Sequence, residues 1–224
     1  MYKILMDQPL LFQALCKHLK ESTNPPIIMK RRSPHQAGAF TFNSFSMEIE
    51  AKFSITEVKI RQAFAQIDRF GPFHVGAPRV RRLIDTYLDT PQWTLLHAGY
   101  ACRQRQMEGK LLITLKGLRQ GTDVPQGAIH RRPEWEIALP TALPPTHWPP
   151  SEARRRVRQL VGDLPLEPLF TLRQERVLRD VTRAERRIAE LSLDAVTLHH
   201  GGHEQCYDEL EIELQEAGTE ADLA

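Results

Sequence analysis

Charged residues recur at every second position in several short segments, and that spacing constrains the fold more than any other feature of the chain. Side chains on a strand alternate between two faces. In Met47–Phe53 one face is Glu48, Glu50 and Lys52, and the other is Met47, Ile49, Ala51 and Phe53. In Tyr207–Leu214, Glu209, Glu211 and Glu213 oppose Leu210, Ile212 and Leu214. Ile129–Leu139 sets Arg132, Glu134 and Glu136 against Trp135, Ile137 and Leu139. Arg103 and Arg105 share a face, as do Thr114 and Lys116 opposite Ile113 and Leu115, and Ser192 and Asp194 opposite Leu191 and Leu193. Any one such strand describes the solvated side of an antiparallel sheet. The set describes more than that. Its polar faces are sorted by sign, and three glutamates in a row repel unless a cation lies between them. Its apolar faces are large, and the chain supplies helices to cover them. A closed barrel with helices outside and charges inside satisfies both demands.

Such a lumen suits a ligand of high negative charge together with a hard divalent cation. Arg and Lys bind phosphate oxygens, and carboxylates bind Mg²⁺ or Mn²⁺.

The remaining pattern fits strands with helical interruptions. Residues 1–46 carry no sustained periodicity beyond one short helix through Leu10, Leu11, Ala14 and Leu19, and they read as a loosely ordered extension dispensable for the chemistry. Met47 opens the patterned domain, 47–224. Glu57–Ile67 has helical spacing, and Val80–Asp89 is a strand ending in Asp89-Thr90-Pro91. Tyr100–Gln106 and Lys110–Lys116 form a hairpin around Met107-Glu108-Gly109. The Pro-rich stretch 140–150 is a loop before a basic helix, Ser151–Val161. Leu169–Val181 and Ile188–Leu198 pair across a polar turn near Thr182-Arg183, and Gly201-Gly202 turns into the last strand. Thr219–Ala224 reads as the first turn of a helix cut short, so the chain reads as a fragment that a further domain could follow.

Charge is nearly balanced, with 30 Lys+Arg against 28 Asp+Glu in 224 residues, which argues against a duplex-DNA binder driven by bulk charge. Cys16, Cys102 and Cys206 are scattered, so a structural zinc site is not expected and a reducing cytoplasm is. No apolar run approaches the roughly 20 residues of a membrane-spanning helix.

Glu48-Ile49-Glu50-Ala51-Lys52 forms an ExExK motif. It is followed in order by Tyr87-Leu88-Asp89-Thr90, Arg103-Gln104-Arg105, Leu115-Lys116-Gly117, Arg132-Pro133-Glu134-Trp135-Glu136, Arg173, Asp194 and Glu209-Leu210-Glu211-Ile212-Glu213. This series, spread over residues 47–216, resembles the CYTH superfamily of triphosphate tunnel metalloenzymes. The resemblance implies an α+β fold: an eight-stranded antiparallel closed β-barrel, or tunnel, with helices packed outside. It implies metal-dependent hydrolysis of inorganic triphosphate or an organic triphosphate, or cyclisation of ATP. Carried over by position, Lys52, Arg103, Arg105, Lys116 and Arg173 are the implied phosphate contacts, with Arg132 an additional one. Glu48, Glu50, Glu211 and Glu213 are the implied Mg²⁺ or Mn²⁺ ligands, and Glu134, Glu136 and Asp194 the supporting or second-metal acids. Glu50 or Glu213 is the implied assisting base beside Lys52. Two departures stand out: Val196 sits where some relatives carry lysine, and the C-terminal helix that usually follows the family's last strand reads as truncated at Ala224.

Other residues read more plainly. His199, His200 and His203 belong to a surface turn, Arg154–Arg156 with Arg158 to a solvated helix face, and Cys102 to an outward apolar face. Tyr87 and Asp89 fit either the tunnel mouth or a turn. Neither a Ser-His-Asp arrangement nor a Walker loop is present. The leading expectation is a cytoplasmic triphosphatase acting on a small triphosphate or polyphosphate. A class IV adenylyl cyclase and a non-catalytic polyphosphate-binding module are the alternatives.

Overall fold

The computed structural model describes residues 43–55, 57–118, 129–219 and 222. Among them the elements run β1 (Asn43–Ile55), α1 (Val58–Gln66), β2 (Arg69–Phe70), β3 (Phe73–Val75), β4 (Arg79–Asp89), α2 (Thr94–His97), β5 (Tyr100–Met107) and β6 (Lys110–Gly117). They continue as β7 (Ile129–Leu139), α3 (Glu152–Val161), β8 (Glu167–Arg183), β9 (Arg186–His200) and β10 (His203–Leu214). The expected helix through Leu10 and Leu19, and Cys16, lie outside the described residues, as does most of the Thr219–Ala224 turn.

Eight strands close into a ring in the order β8-β4-β5-β6-β7-β1-β10-β9, with β9 returning to β8, and every neighbouring pair is antiparallel. This is the closed barrel that the alternation demands. β2 and β3 extend the sheet from the far end of β8, where Val75 pairs with Val181. Both strands are too short to leave a period-two signal, and α2 is a single turn without one. β1 begins at Asn43, four residues upstream of Met47.

Three hairpins close on two residues with positive φ: Glu108–Gly109, Ala184–Glu185 and Gly201–Gly202. Such turns match the right-handed twist of the strands they join. The β8–β9 turn therefore falls at Ala184–Glu185, two residues beyond the expected Thr182-Arg183, because a register shift between Val181 and Thr182 lets β8 run on to Arg183.

The apolar cores lie outside the ring. Cys102, Ile113, Leu115, Trp135 and Ile137 of β5–β7 pack against Leu95 of α2 and Ala153, Val157 and Val161 of α3. The Arg156 guanidinium sits 4.1 Å above the Trp135 ring. On the other side Leu191, Leu193, Leu210 and Leu214 pack with Phe64 of α1 and with Phe70 and Phe73. Buried Arg179 donates to the carbonyls of Phe64, Ala65 and Gly76, which ties the end of α1 to β8. With both apolar faces spent on these layers, the charged faces are left to the interior.

Candidate active site

The lumen is built from the polar parity of each strand. β1 contributes Glu48, Glu50 and Lys52, and its register places Lys52 opposite Glu211 and Glu50 opposite Glu213 on β10. Lys52 donates to Glu211 at 2.7 Å and also pairs with Glu209. Lys116 donates to both oxygens of Glu48 at 2.8 and 2.9 Å and lies 3.6 Å from Glu134. Arg132 pairs with Glu50 and reaches towards Glu48. Arg105 grips Asp85 with two bonds of 2.7 Å, and Arg103 approaches Asp85, Glu134 and the Thr114 hydroxyl. That hydroxyl in turn donates to Glu136 at 2.8 Å. Each sequence-derived candidate except Arg173 therefore faces one interior.

Arg173 faces outward and is exposed. The even-numbered residues of β8 point inward, so Gln174 and Arg176 occupy the lumen instead. Arg176 donates to Asp194 at 2.8 Å and to Glu211 at 2.8 Å, and Gln174 donates to Asp85 at 3.1 Å. β8 mixes apolar and polar residues on both faces, so no alternation checks the position carried over from the family pattern, and that position falls on the outward face. Asp85, only 1% exposed, was also missed, because its inward face of β4 shows no run of alternating charges. Glu209, 3% exposed, stands in the acidic face of the sequence but takes its place as a partner of Lys52 only in the fold.

Two open points resolve. Asp89 is a turn residue: its carboxylate accepts from the backbone N–H groups of Thr90, Leu95 and Leu96 at 2.7, 2.8 and 2.9 Å and so starts α2. Tyr87 faces the lumen, paired with Arg103 across β4 and β5. His199 bonds Glu204 at 2.9 Å beside the β9–β10 turn, away from the charged interior.

Among the described residues, nine carboxylates (Glu48, Glu50, Asp85, Glu134, Glu136, Asp194, Glu209, Glu211 and Glu213) interlock with six cations (Lys52, Arg103, Arg105, Lys116, Arg132 and Arg176) in the lumen, and Glu190, opposite Glu213, and Arg81, opposite Arg176, share their parity. The acid excess shows in their proton affinities. Burial pushes Glu213 up to about 7, with the charges of Glu48, Glu134 and Glu211 adding to it. Burial also drives Asp194 up to about 6, with Glu211 and Glu209 working in the same sense against Arg176. Burial works to raise Glu211 too, but Lys52 and Arg176 outweigh it and hold this carboxyl well below the ordinary range. Glu48 is held low in the same way by Lys116 and Arg132. Glu213 has no ion-pair partner among the described residues.

A hard divalent cation fits this oxygen-only donor set, because it relieves the repulsion that lifts Glu213. Among the described residues no three candidate ligands converge as a preformed site, since most of the carboxylates are turned towards lumen cations.

Fold and interior together define a charged β-tunnel. The chain belongs to the CYTH domain family, whose model matches residues 46–224. Among solved structures it is similar to an adenylate cyclase candidate from Bacillus halodurans, with TM-score 0.51, 22% identity, and 80% of this chain and 84% of that chain covered. It is also similar to the adenylyl cyclase candidate HpAC1 from Hippeastrum, described as having a dominant triphosphatase activity. There the TM-score is 0.54 and the identity 22%, over 75% of this chain and 79% of that chain. At these identities the likeness is one of fold. No curated protein matches the chain. No described helix is long and apolar enough to cross a membrane.

Proposed function

We propose that this tunnel is a cytoplasmic, Mg²⁺- or Mn²⁺-dependent triphosphatase. The observation that carries the reading is a single closed lumen in which lysines and arginines are interleaved with carboxylates. Lys52, Lys116, Arg103, Arg105, Arg132 and Arg176 would take the phosphate oxygens, the arginines through their planar forks. Each of these cations is now held by a lumen carboxylate, so an entering triphosphate must exchange partners with Glu48, Glu50, Asp85 or Glu211. The displaced carboxylates, with Glu213, Glu134, Glu136 and Asp194, would hold the divalent cation, which supplies neutralisation of the phosphate oxygens. The acid excess makes bare triphosphate a poor ligand and the metal-bound form a good one.

Of the two base candidates, Glu213 is favoured. It lacks an ion-pair partner among the described residues, so its carboxylate is free to take a proton once a cation has relieved the like charges around it. It would accept a proton from the attacking water as the new P–O bond forms, the bridging P–O bond breaks and diphosphate departs. Glu50 is committed to Arg132.

Phosphate release from inorganic triphosphate and ATP, with Mg²⁺ or with EDTA, tests the reading. Orthophosphate released only with metal, and lost in Glu213→Gln, is expected. Diphosphate and a cyclic nucleotide as products would make it a cyclase. Binding without turnover would make it a polyphosphate-binding module.

A further inference from the structure

The turn between β9 and β10 carries donor groups that the tunnel does not use. Gly201 and Gly202, with φ of 55° and 80°, close a two-residue hairpin, and His200 and His203 flank it as directly opposite partners. Residues opposite one another share a face, with Cβ atoms roughly 4.5–5.5 Å apart. That face is the one of Val196 and Leu198 on β9 and of Gln205 and Tyr207 on β10, so both imidazoles stand at the rim of the interior. His199 and Glu204, which also oppose one another, take the outer face.

The hydrogen bonds decide which ring nitrogens are available. His200 Nδ1 lies 2.7 Å from the carbonyl oxygen of Leu169 on β8. A carbonyl only accepts, so Nδ1 carries the proton and Nε2 of the neutral ring keeps its lone pair. One ring nitrogen tied to a backbone carbonyl is the support that fixes the tautomer and orientation of metal-binding histidines. His203 is exposed, and its ring is uncommitted among the described residues. Both rings line an open cavity of about 310 Å³ between the start of β8 and this turn. His199, by contrast, is spent on Glu204 at 2.9 Å on the other side of the hairpin.

Imidazole nitrogen suits zinc, nickel and copper, whereas Mg²⁺ takes oxygen. Metal–nitrogen distances of about 2.0–2.1 Å let one ion bridge two rings that start from opposite positions of a hairpin. Among the described residues no third His, Cys, Asp or Glu converges with the pair, so water in the open cavity completes the coordination. We infer that His200 and His203 form a bidentate site for an imidazole-preferring divalent metal, such as Zn²⁺ or Ni²⁺, at the rim of the tunnel. Its occupancy ties the β9–β10 turn to β8 through the Leu169 carbonyl. The site does not rest on the triphosphatase reading, which turns on hard cations held by carboxylates deeper in the lumen.

Equilibrium dialysis of the full chain against Ni²⁺, with Mg²⁺ in large excess to saturate the lumen carboxylates, tests it on wild type, His200→Ala, His203→Ala, the double variant and His199→Ala. His200 and His203 are exposed, so their variants fold. Each of the two single substitutions weakens Ni²⁺ binding by about tenfold or more. The double variant is weaker than either by less than about twofold, as it must be when two rings hold one ion. His199→Ala changes the affinity by less than about twofold. Ni²⁺ also raises the melting temperature of wild type and leaves that of the double variant unmoved. Additive losses from His200→Ala and His203→Ala would mean two separate surface imidazoles and overturn the inference. So would Ni²⁺ binding that survives both substitutions, or none at all under excess Mg²⁺, and each of these results leaves the triphosphate reading untouched.

Discussion

Lys52 on β1 stands directly opposite Glu211 on β10 and donates to its Oε1 at 2.7 Å, while Arg176 holds the other oxygen of the same carboxylate at 2.8 Å. Glu211 is therefore the node where two lumen cations meet. Glu213, two residues on, has repulsion where Glu211 has partners.

The two glutamates should answer the same substitution in opposite ways. Glu211→Gln leaves Lys52 and Arg176 short of a counter-charge, and breaking a buried pair costs about 3 kcal/mol or more. Glu213→Gln keeps the side-chain shape and removes a like charge. Chemical denaturation of the metal-free variants should show a clear loss of stability for Glu211→Gln and none, or a gain, for Glu213→Gln. Equal losses would contradict the ion-pair assignment.

Stability of the metal-free protein should fall as pH rises through neutrality. The Glu213 carboxyl is pushed up to about 7 in the folded chain from an ordinary 4.5. Between these values the folded state keeps a proton that the unfolded chain has released. The contribution is therefore complete below the unfolded value and is lost as pH climbs through about 7. Asp194, pushed up to about 6, acts in the same sense. Glu48, Glu211 and Asp85 are held low and titrate beneath this window. In EDTA the melting temperature should drop from about pH 5 to about pH 8, less steeply in Glu213→Gln, and Mg²⁺ should flatten the wild-type curve. Parallel curves for the two proteins would count against the shift.

Asp89 should matter for folding and not for the site. Its buried carboxylate satisfies three backbone donors, so Asp89→Ala should cost about 3 kcal/mol, at roughly 1 kcal/mol or more for each bond. Metal-dependent triphosphate affinity, measured below the new melting temperature, should stay within about twofold. A large loss of affinity with unchanged stability would place Asp89 at the mouth instead.

The barrel was legible because six of its strands carry the alternation. Glu48/Glu50/Lys52 and Glu209/Glu211/Glu213 cannot exchange faces without burying charge in the outer cores, so their inward direction followed from the pattern alone. β8 offered no such constraint. Arg173, Glu175, Arg176 and Arg179 occupy both of its faces, and only pairing with β4 and β9 decides that Arg176 enters the lumen and Arg173 does not. Val196, on the parity of Ser192 and Asp194 and at the position where some relatives carry lysine, stands in the lumen opposite Gln174 and Tyr207.

That same difference on β8 gives the most direct test of the tunnel as the triphosphate site. Arg176→Met and Arg173→Met remove the same charge three residues apart, one inside the lumen and one outside. The measurement is the melting-temperature shift produced by Mg²⁺-triphosphate in each variant. The shift should be abolished or strongly reduced in Arg176→Met and kept at the wild-type size in Arg173→Met. A shift retained in Arg176→Met and lost in Arg173→Met would contradict the site described here.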